Sequence, residues 1–458
     1  MSERREPSSY RDPAGFLFFR DGVLLRHVAP AGAADYDALL SSGLYEALAL
    51  EGLLVPHEEV EPPEGHEDAH RVLRPRVIPF VSYPYEWTFG ERRDAGLLTL
   101  SVQRRALERG LSLKDASAYN VQFLDGRPVF IDTLSFERYP EGRPWVAYRQ
   151  FCEHFLAPLA LEATGDHRLG RLFSSFPDGV PLDLASRLLP FRTKLRPGLA
   201  LHLHLHSWGQ GRYSSGPARP SPTVSKGRLL DLVADLEACL AGLRLPRRTS
   251  TWSDYYAGTN YSPEALESKK EFVRAALGEV RPSVVWDLGA NTGLFSRLAS
   301  EAGAFTVAMD GDPLASEGHY RDVVGRGERR VLPLVVDLSS PSPSLGWDGR
   351  ERRSLFERGP ADLALALALV HHLAIGANVP LGSIASSWAR MAEWLVVEFV
   401  PKSDSQVQRM LRSREDVFPG YTADGFEAAF GREFEVCRRA GVAGSERSLY
   451  LLRRRSPA

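Results

Sequence analysis

Residues 283–299 read SVVWDLGANTGLFSRLA, and this stretch decides the fold of the C-terminal half. An apolar strand runs through Val284, Val285 and Trp286 into Asp287. The chain then turns through Gly289-Ala290-Asn291-Thr292-Gly293, and a helix begins at Leu294. Glycines permit a tight turn and let backbone approach a ligand closely at the carboxyl end of a parallel strand. A dinucleotide fingerprint, G-x-G-x-x-G, adds a third glycine six positions along. Here only Gly289 and Gly293 are present, which suits a ligand without a pyrophosphate.

From Pro282 onward short apolar strands alternate with helical stretches, the mark of a βαβ sheet. The second strand, FTVAMDGD, ends with Asp310, 21 residues beyond Gly289. An acid at that point accepts from both hydroxyls of a ribose. The third, VLPLVVDL, ends in Asp337, placed to accept from an adenine amino group. The fourth, ADLALALALVHHL, ends in His371-His372, and the fifth, WLVVEFVPKSD, carries Glu398, Lys402 and Asp404. FEVCRR (434–439) and RSLYLLRRR (447–455) read as a closing hairpin.

This ordered set resembles the class I S-adenosylmethionine-dependent methyltransferases over residues 280–458. The resemblance implies a Rossmann-like, seven-stranded α/β sheet with S-adenosylmethionine as cofactor. It places Asp287, Gly289, Asn291 and Gly293 in the family's first motif, Asp310 at the ribose and Asp337 beside adenine. The segment from Trp252 to Lys270 then resembles the lid over the cofactor, with Trp252, Tyr255, Tyr256 and Tyr261 as ring contacts. A carboxylate-lined crevice suits a sulfonium cation that also carries an ammonium group.

Methyl transfer is a displacement at carbon in which the protein aligns the reactants and removes a proton where needed. His371 and His372 are the candidate bases, since imidazole titrates near neutrality. They favour a hydroxyl acceptor, and motifs of the Asn-Pro-Pro-Tyr type that mark amino acceptors are absent. Residues 339–360 form an insertion between the third and fourth strands. Its Trp347 is a candidate substrate wall, and Arg350, Arg352, Arg353 and Arg358 are candidate contacts for an acidic substrate. Two other readings of the crevice stand beside methyl transfer: a cofactor-binding scaffold, and a repurposed small-molecule enzyme, for example one that closes a ring.

The N-terminal half is α+β. Residues 14–28, with FLFF-RDG-VLLRHV, read as a hairpin turning at Asp21-Gly22, followed by a helix over 33–54 and strands near 72–79. A second helix over 91–109 precedes LKDASAYNVQFLDGRPVFIDTLSF (111–134), in which Asp115, Asn120 and Asp132 are spaced like a protein-kinase catalytic loop. The departures from that family are large. Leu113 and Lys114 replace His and Arg, and Asp132-Thr133-Leu134 replaces Asp-Phe-Gly. No glycine-rich loop occurs in the first 90 residues, and no lysine precedes Lys114, leaving Arg20 or Arg26 as imperfect substitutes. The resemblance implies a kinase-like domain that binds substrate or a partner without phosphoryl transfer; an active kinase and a coincidence of spacing in another fold are the two other readings.

Four segments follow: the N-terminal domain (1–212), a Ser/Pro/Gly linker (213–227), a helical lid or connector (228–279) and the methyltransferase domain (280–458). His202, His204 and His206 in LALHLHLHSW lack a Cys or acidic cluster to complete a metal site, so no metal is expected. Cys152, Cys239 and Cys437 lie far apart, which argues against disulfides and zinc. The charged start MSERREPSSYRDP carries no secretion signal, and no apolar run approaches membrane-spanning length. A net charge of −2 exerts no pull toward nucleic acid or membrane. The expectation is a cytoplasmic enzyme acting on a small molecule, with a protein partner or homodimer left open.

Overall fold

The computed structural model describes residues 3–205, 223–246, 262–412 and 415–456. Most of the 213–227 linker stretch, together with His206, Trp252, Tyr255, Tyr256 and Tyr261, lies outside the described residues. Contacts divide the chain into two units. One is Met1–Arg247 with Leu345–Arg352, and the other is Arg248–Ser344 with Arg353–Ala458. Among the described residues, no helix is long and apolar enough to cross a membrane.

The first unit opens on an antiparallel sheet of β1 (Glu3–Arg5), β2 (Gly15–Arg20), β3 (Val23–Val28), β4 (His57–Val60) and β5 (Arg71–Pro75), in the order β1-β2-β3-β5-β4. Asp21 (φ 49°) and Gly22 (φ 82°) both turn left-handed between β2 and β3, the geometry that matches strand twist in a two-residue hairpin. The helix expected over 33–54 is two: α1 (Ala33–Ser41) and α2 (Leu44–Leu50). Gly43 at φ 68° breaks the run between them.

Helix α3 (Phe89–Glu108) starts with a reciprocal cap, in which Thr88 Oγ1 accepts from Glu91 N at 3.1 Å and Glu91 Oε2 accepts from Thr88 N at 2.8 Å. Four short strands follow: β6 (Leu111–Leu113), β7 (Val121–Leu124), β8 (Arg127–Phe130) and β9 (Phe136–Arg138). They pair as β6 with β9 and β7 with β8. Helix α4 (Lys226–Gly242) packs on α3, so this part of the expected connector belongs to the first unit. Gly96 of α3 permits the approach, since a Cβ there would stand 2.7 Å from Leu240 Cδ2.

The eight residues Leu345–Arg352, part of the insertion between sheet strands, also belong to the first unit. Glu351 anchors them by accepting from Tyr10 Oη (2.7 Å), Trp347 N (3.0 Å) and the Arg11 guanidinium. Gly346 sits at φ 85°, where a Cβ would collide with Glu351 Oε2. Arg352 lies 3.9 Å over the Tyr119 ring, while the candidate wall Trp347 is 73% exposed.

In the second unit, α5 (Pro263–Val280) leads to β10 (Val284–Leu288), α6 (Leu294–Glu301), β11 (Phe305–Asp310), α7 (Pro313–Arg326), β12 (Val331–Val335) and β13 (Ala361–Ala366). Then come α8 (Leu381–Met391), β14 (Ala392–Phe399), β15 (Phe434–Gly441) and β16 (Ser448–Arg454). The seven strands order as β12-β11-β10-β13-β14-β16-β15, with β16 antiparallel to both neighbours. The second unit is thus an α/β fold around one mostly parallel sheet. One side chain row of α5 (Ala265, Phe272, Val273, Ala276, Leu277) packs with Leu363, Leu365, Val396, Leu449 and Leu451 of the sheet.

Two strands stop earlier than their apolar runs suggest. β12 ends at Val335, two residues before Asp337. β13 ends at Ala366, and His371 and His372 stand five and six residues beyond it. The ladder between β10 and β13 stops at Asp287 and Leu365, because β10 then enters its glycine turn. Ala368 (φ 51°) turns the chain, and His372–Gly376 form a π-helical turn.

The first unit buries one ion pair almost completely, between Arg92 and Glu162 (1% and 4% exposed). Arg92 also donates to Pro84 O (2.9 Å) and Trp87 O (3.2 Å). Removing Arg92 takes from the buried Glu162 carboxylate its ion-pair partner. Arg92→Ala is therefore expected to lower stability by about 3–5 kcal/mol in urea unfolding. A loss below about 1 kcal/mol would show that Glu162 finds water.

Candidate active site

The crevice is built at the point where sheet order reverses, between β10 and β13. Three residues after β10 hold left-handed conformations that only a fixed turn sustains: Gly289 (φ 76°), Asn291 (φ 51°) and Gly293 (φ 80°). Gly289 N and Ala290 N both donate to Met309 O, at 2.8 and 3.0 Å, which pins the turn to β11. Asp287, just before the turn, is 3% exposed and accepts from Ser296 Oγ of α6 at 2.6 Å. Burial pushes its carboxyl up to about 7, with the charge of Asp310 adding to the effect.

Asp310 ends β11. Its Oδ2 accepts from Asn291 N at 2.9 Å and its Oδ1 from Asp312 N at 2.8 Å. The two backbone bonds fix the carboxylate plane, and each oxygen keeps a second acceptor direction. Burial nevertheless pushes Asp310 up to about 6. Asp337 is next to it, since Val336 N donates to Asp310 O at 2.9 Å. Its Oδ1 accepts from Ser339 N (3.0 Å) and Ser339 Oγ (2.6 Å), and the residue remains partly exposed. The structure thus gathers Asp287, Gly289, Asn291, Gly293, Asp310 and Asp337 at adjoining strand ends. An acid with open acceptor sites beside a left-handed backbone turn fits the ribose and cationic end of S-adenosylmethionine.

The segment after β13 reaches the same turn, with Leu369 Cδ1 in van der Waals contact (3.4 Å) with a Cβ position at Gly289. His371 and His372 follow, their rings 4.1 Å apart. His371 is 2% exposed, and its Nδ1 is buried without a hydrogen-bond partner. Burial holds His371 well below the usual imidazole range, reinforced by His372, Arg447 and Lys269. Burial also holds His372 down, to about 4. Both are neutral imidazoles at physiological pH.

Lys269, Glu398, Arg447 and Asp404 form a network near this pair. Lys269 Nζ meets Glu398 Oε2 at 2.7 Å, and Arg447 meets Glu398 Oε1 at 3.3 Å and Asp404 Oδ2 at 2.7 Å. Lys269, Glu398 and Arg447 are all under 7% exposed. Lys402, read with Glu398 at the strand end, instead pairs with Asp416 at 2.7 Å. Lys269 and Arg447 escape a reading by motif. The visible signal for Lys269 was its place on the apolar stripe of α5, four residues after Ala265 and three before Phe272.

The first unit brings Asp115, Asn120 and Asp132 together as well. Asn120 Nδ2 donates to Ser135 Oγ (3.1 Å), and Ser135 Oγ donates to Asp132. Asp115 accepts from Ser117 N at 2.8 Å, and burial raises its carboxyl, with Asp132 adding to the rise. Burial also pushes Asp132 up, but Arg26, Ser135 and the Leu134 N–H outweigh it and hold the group below the usual carboxylate range. Arg26 of β3 pairs directly with Asp132. Of the histidine run, His202 bonds Tyr148 Oη (2.7 Å) and Asp235 (2.8 Å), while His204 bonds Ser186 (2.7 Å) and Thr193 (2.9 Å). Among the described residues no group of three or more His, Cys, Asp or Glu could hold a metal.

No model of a known protein family matches the chain. Among solved structures it is similar to magnesium protoporphyrin IX methyltransferase from Synechocystis PCC 6803, at 18% identity and TM-score 0.32, over 42% of this chain and 84% of that one. It is also similar to the N-methyltransferase NodS from Bradyrhizobium japonicum WM9, at 13% identity and TM-score 0.32, over 43% of this chain and 99% of that one. Along nearly its whole length the chain is similar to nodulation protein NoeA of Rhizobium meliloti (strain 1021), at 35% identity over 462 residues, 98% of this chain and 96% of NoeA. With both units included in a match of that length and identity, the chain belongs to the family of nodulation protein NoeA.

Proposed function

We propose that the second unit transfers a methyl group from S-adenosylmethionine to a hydroxyl of a small-molecule acceptor. The observation that carries this reading is the Asp310 carboxylate, clamped by the Asn291 and Asp312 amides beside the left-handed turn. When bound, the cofactor supplies an electrophilic methyl on a sulfonium. Asp310 would accept from the ribose hydroxyls, Asp337 from the adenine amino group, and the turn from Gly289 to Gly293 would receive the amino-acid end. His371, neutral and with a buried Nδ1 that has no hydrogen-bond partner, would take the acceptor's proton, with the His372 ring tilted against it.

For the first unit we propose a kinase-like fold without phosphoryl transfer. The support is the order of β1–β9 around α1–α3 and the meeting of Asp115, Asn120 and Asp132. Phosphoryl transfer needs metal ions held by such an acid. Arg26 already neutralises Asp132 here, which leaves the unit suited to binding a substrate or partner.

Isothermal titration with S-adenosylhomocysteine tests the central reading, and absence of binding would refute it. Asp310→Ala is expected to weaken binding by about 1.5–3 kcal/mol, roughly ten- to 150-fold, the range for a hydrogen bond to a charged group. Unchanged affinity would remove Asp310 from the ribose. Binding without product across a panel of hydroxylated acceptors would favour a scaffold or a ring-closing enzyme.

The pH dependence follows from Asp287 and Asp310, raised to about 7 and about 6. A carboxyl raised by folding contributes stability below its unfolded value and loses it as pH rises through the folded value. The ligand-free second unit therefore gains stability toward pH 5. A ligand that donates hydrogen bonds and carries positive charge needs the ionised forms, so its affinity should rise from pH 5 to pH 8. A flat affinity profile over that range would contradict this role for the two acids.

A further inference from the structure

Gly293 and His319 occupy one piece of space. A Cβ built on Gly293 would stand 1.9 Å from His319 Nε2, 2.1 Å from Cε1 and 2.5 Å from Cδ2. The edge of the imidazole thus packs where the side chain of residue 293 would be. His319 comes from α7, whereas Gly293 caps the start of α6, so the ring is a wedge from one helix under the turn that opens another. It is 1% exposed, and Nε2 is buried without a hydrogen-bond partner.

The surroundings keep this ring neutral. Burial pushes His319 down to about 3, and the positive charge of Arg297 adds to the effect. Arg297 in turn pairs with Glu328 (2.9 Å) and Asp322 (3.2 Å) and donates to Thr292 O (3.2 Å), the residue just before Gly293. Thr292 is held from one side by Arg297, and Gly293 is backed on another by His319. A buried nitrogen without a partner costs stability. The fold therefore uses the shape of His319 and not a hydrogen bond at Nε2.

We propose that His319 is a positioning residue for the cofactor turn, fixing the left-handed path from Asn291 to Gly293 against which the ligand seats. The inference rests on the reading that this crevice binds S-adenosylmethionine. Without the ring, the turn keeps its ties to β11 but loses the surface that sets the backbone at Gly293. A ligand that depends on backbone approach at this turn then binds more weakly, although the sheet is intact.

A double-mutant cycle tests this on the full chain, with S-adenosylhomocysteine affinity measured by isothermal titration and Tm recorded for every variant. His319→Ala is expected to bind roughly tenfold more weakly. Gly293→Ala is expected to lose roughly a hundredfold or more in the presence of the ring, and no more than about tenfold further in the His319→Ala background. Left-handed strain at residue 293 is common to both backgrounds and cancels, so the difference reports the clash alone. His319→Leu, which refills the space, is expected to bind better than His319→Ala and to restore the intolerance of alanine at 293. It serves as the background if His319→Ala does not fold. Affinity within twofold of wild type in both His319 variants, or equal losses for Gly293→Ala in all backgrounds, would overturn the proposal. Failure of the wild type itself to bind would instead refute the cofactor reading on which it rests.

Discussion

The Asp310 carboxylate is the constraint on which the crevice depends. Its two oxygens take the N–H groups of Asn291 and Asp312, one from the turn after β10 and one from the loop after β11. A non-glycine residue at φ 51°, as Asn291 is, persists only where its surroundings over-determine it. Here the carboxylate holds its N–H, and the preceding two amides share Met309 O. The cost is electrostatic. Desolvation raises the carboxyls of Asp310 and of Asp287 behind it, and donors or positive charge brought to them favour the ionised forms.

Charge is managed differently beneath the histidines. Lys269, Glu398, Arg447 and Asp404 carry two charges of each sign in direct contact. A buried network of this kind is weak evidence for stability, because desolvation offsets much of the Coulomb attraction. Its effect on the neighbouring imidazole is clearer. Burial opposes protonation of His371 first, and His372, Arg447 and Lys269 add to it, so the ring stays neutral at pH values where an exposed histidine would partly carry a proton. The same logic applies to His319 beside Arg297.

In the first unit the charge of Asp132 is answered by the chain itself. Arg26, Ser135 and the Leu134 amide supply its donors, so the carboxylate is satisfied without a metal ion. Spacing of Asp115, Asn120 and Asp132 in the sequence foretold that these groups meet, but not that an arginine from β3 would meet them. That pairing joins residues 106 positions apart and depends on how β3 lies against the loop after β8.

What the sequence determined by itself was local or periodic. An apolar strand, two glycines and a helix within 17 residues specify strand, turn and helix through nearest-neighbour sterics alone. The repeated alternation of such segments specifies a largely parallel sheet. Asp21-Gly22 likewise specified the hairpin between β2 and β3. Tertiary structure decided where β13 stops: its apolar run continues to Val370, but pairing with β10 ends at Leu365, pairing with β14 ends at Ala366, and the chain turns at Ala368 (φ 51°). It also decided that Leu345–Arg352 joins the first unit, through Glu351 and its donors more than 300 residues earlier. Lys269 against Glu398, and His319 under Gly293, are of the same kind. A buried charge or a steric wedge is defined by what packs against it, and those partners come from other strands and helices of the folded chain.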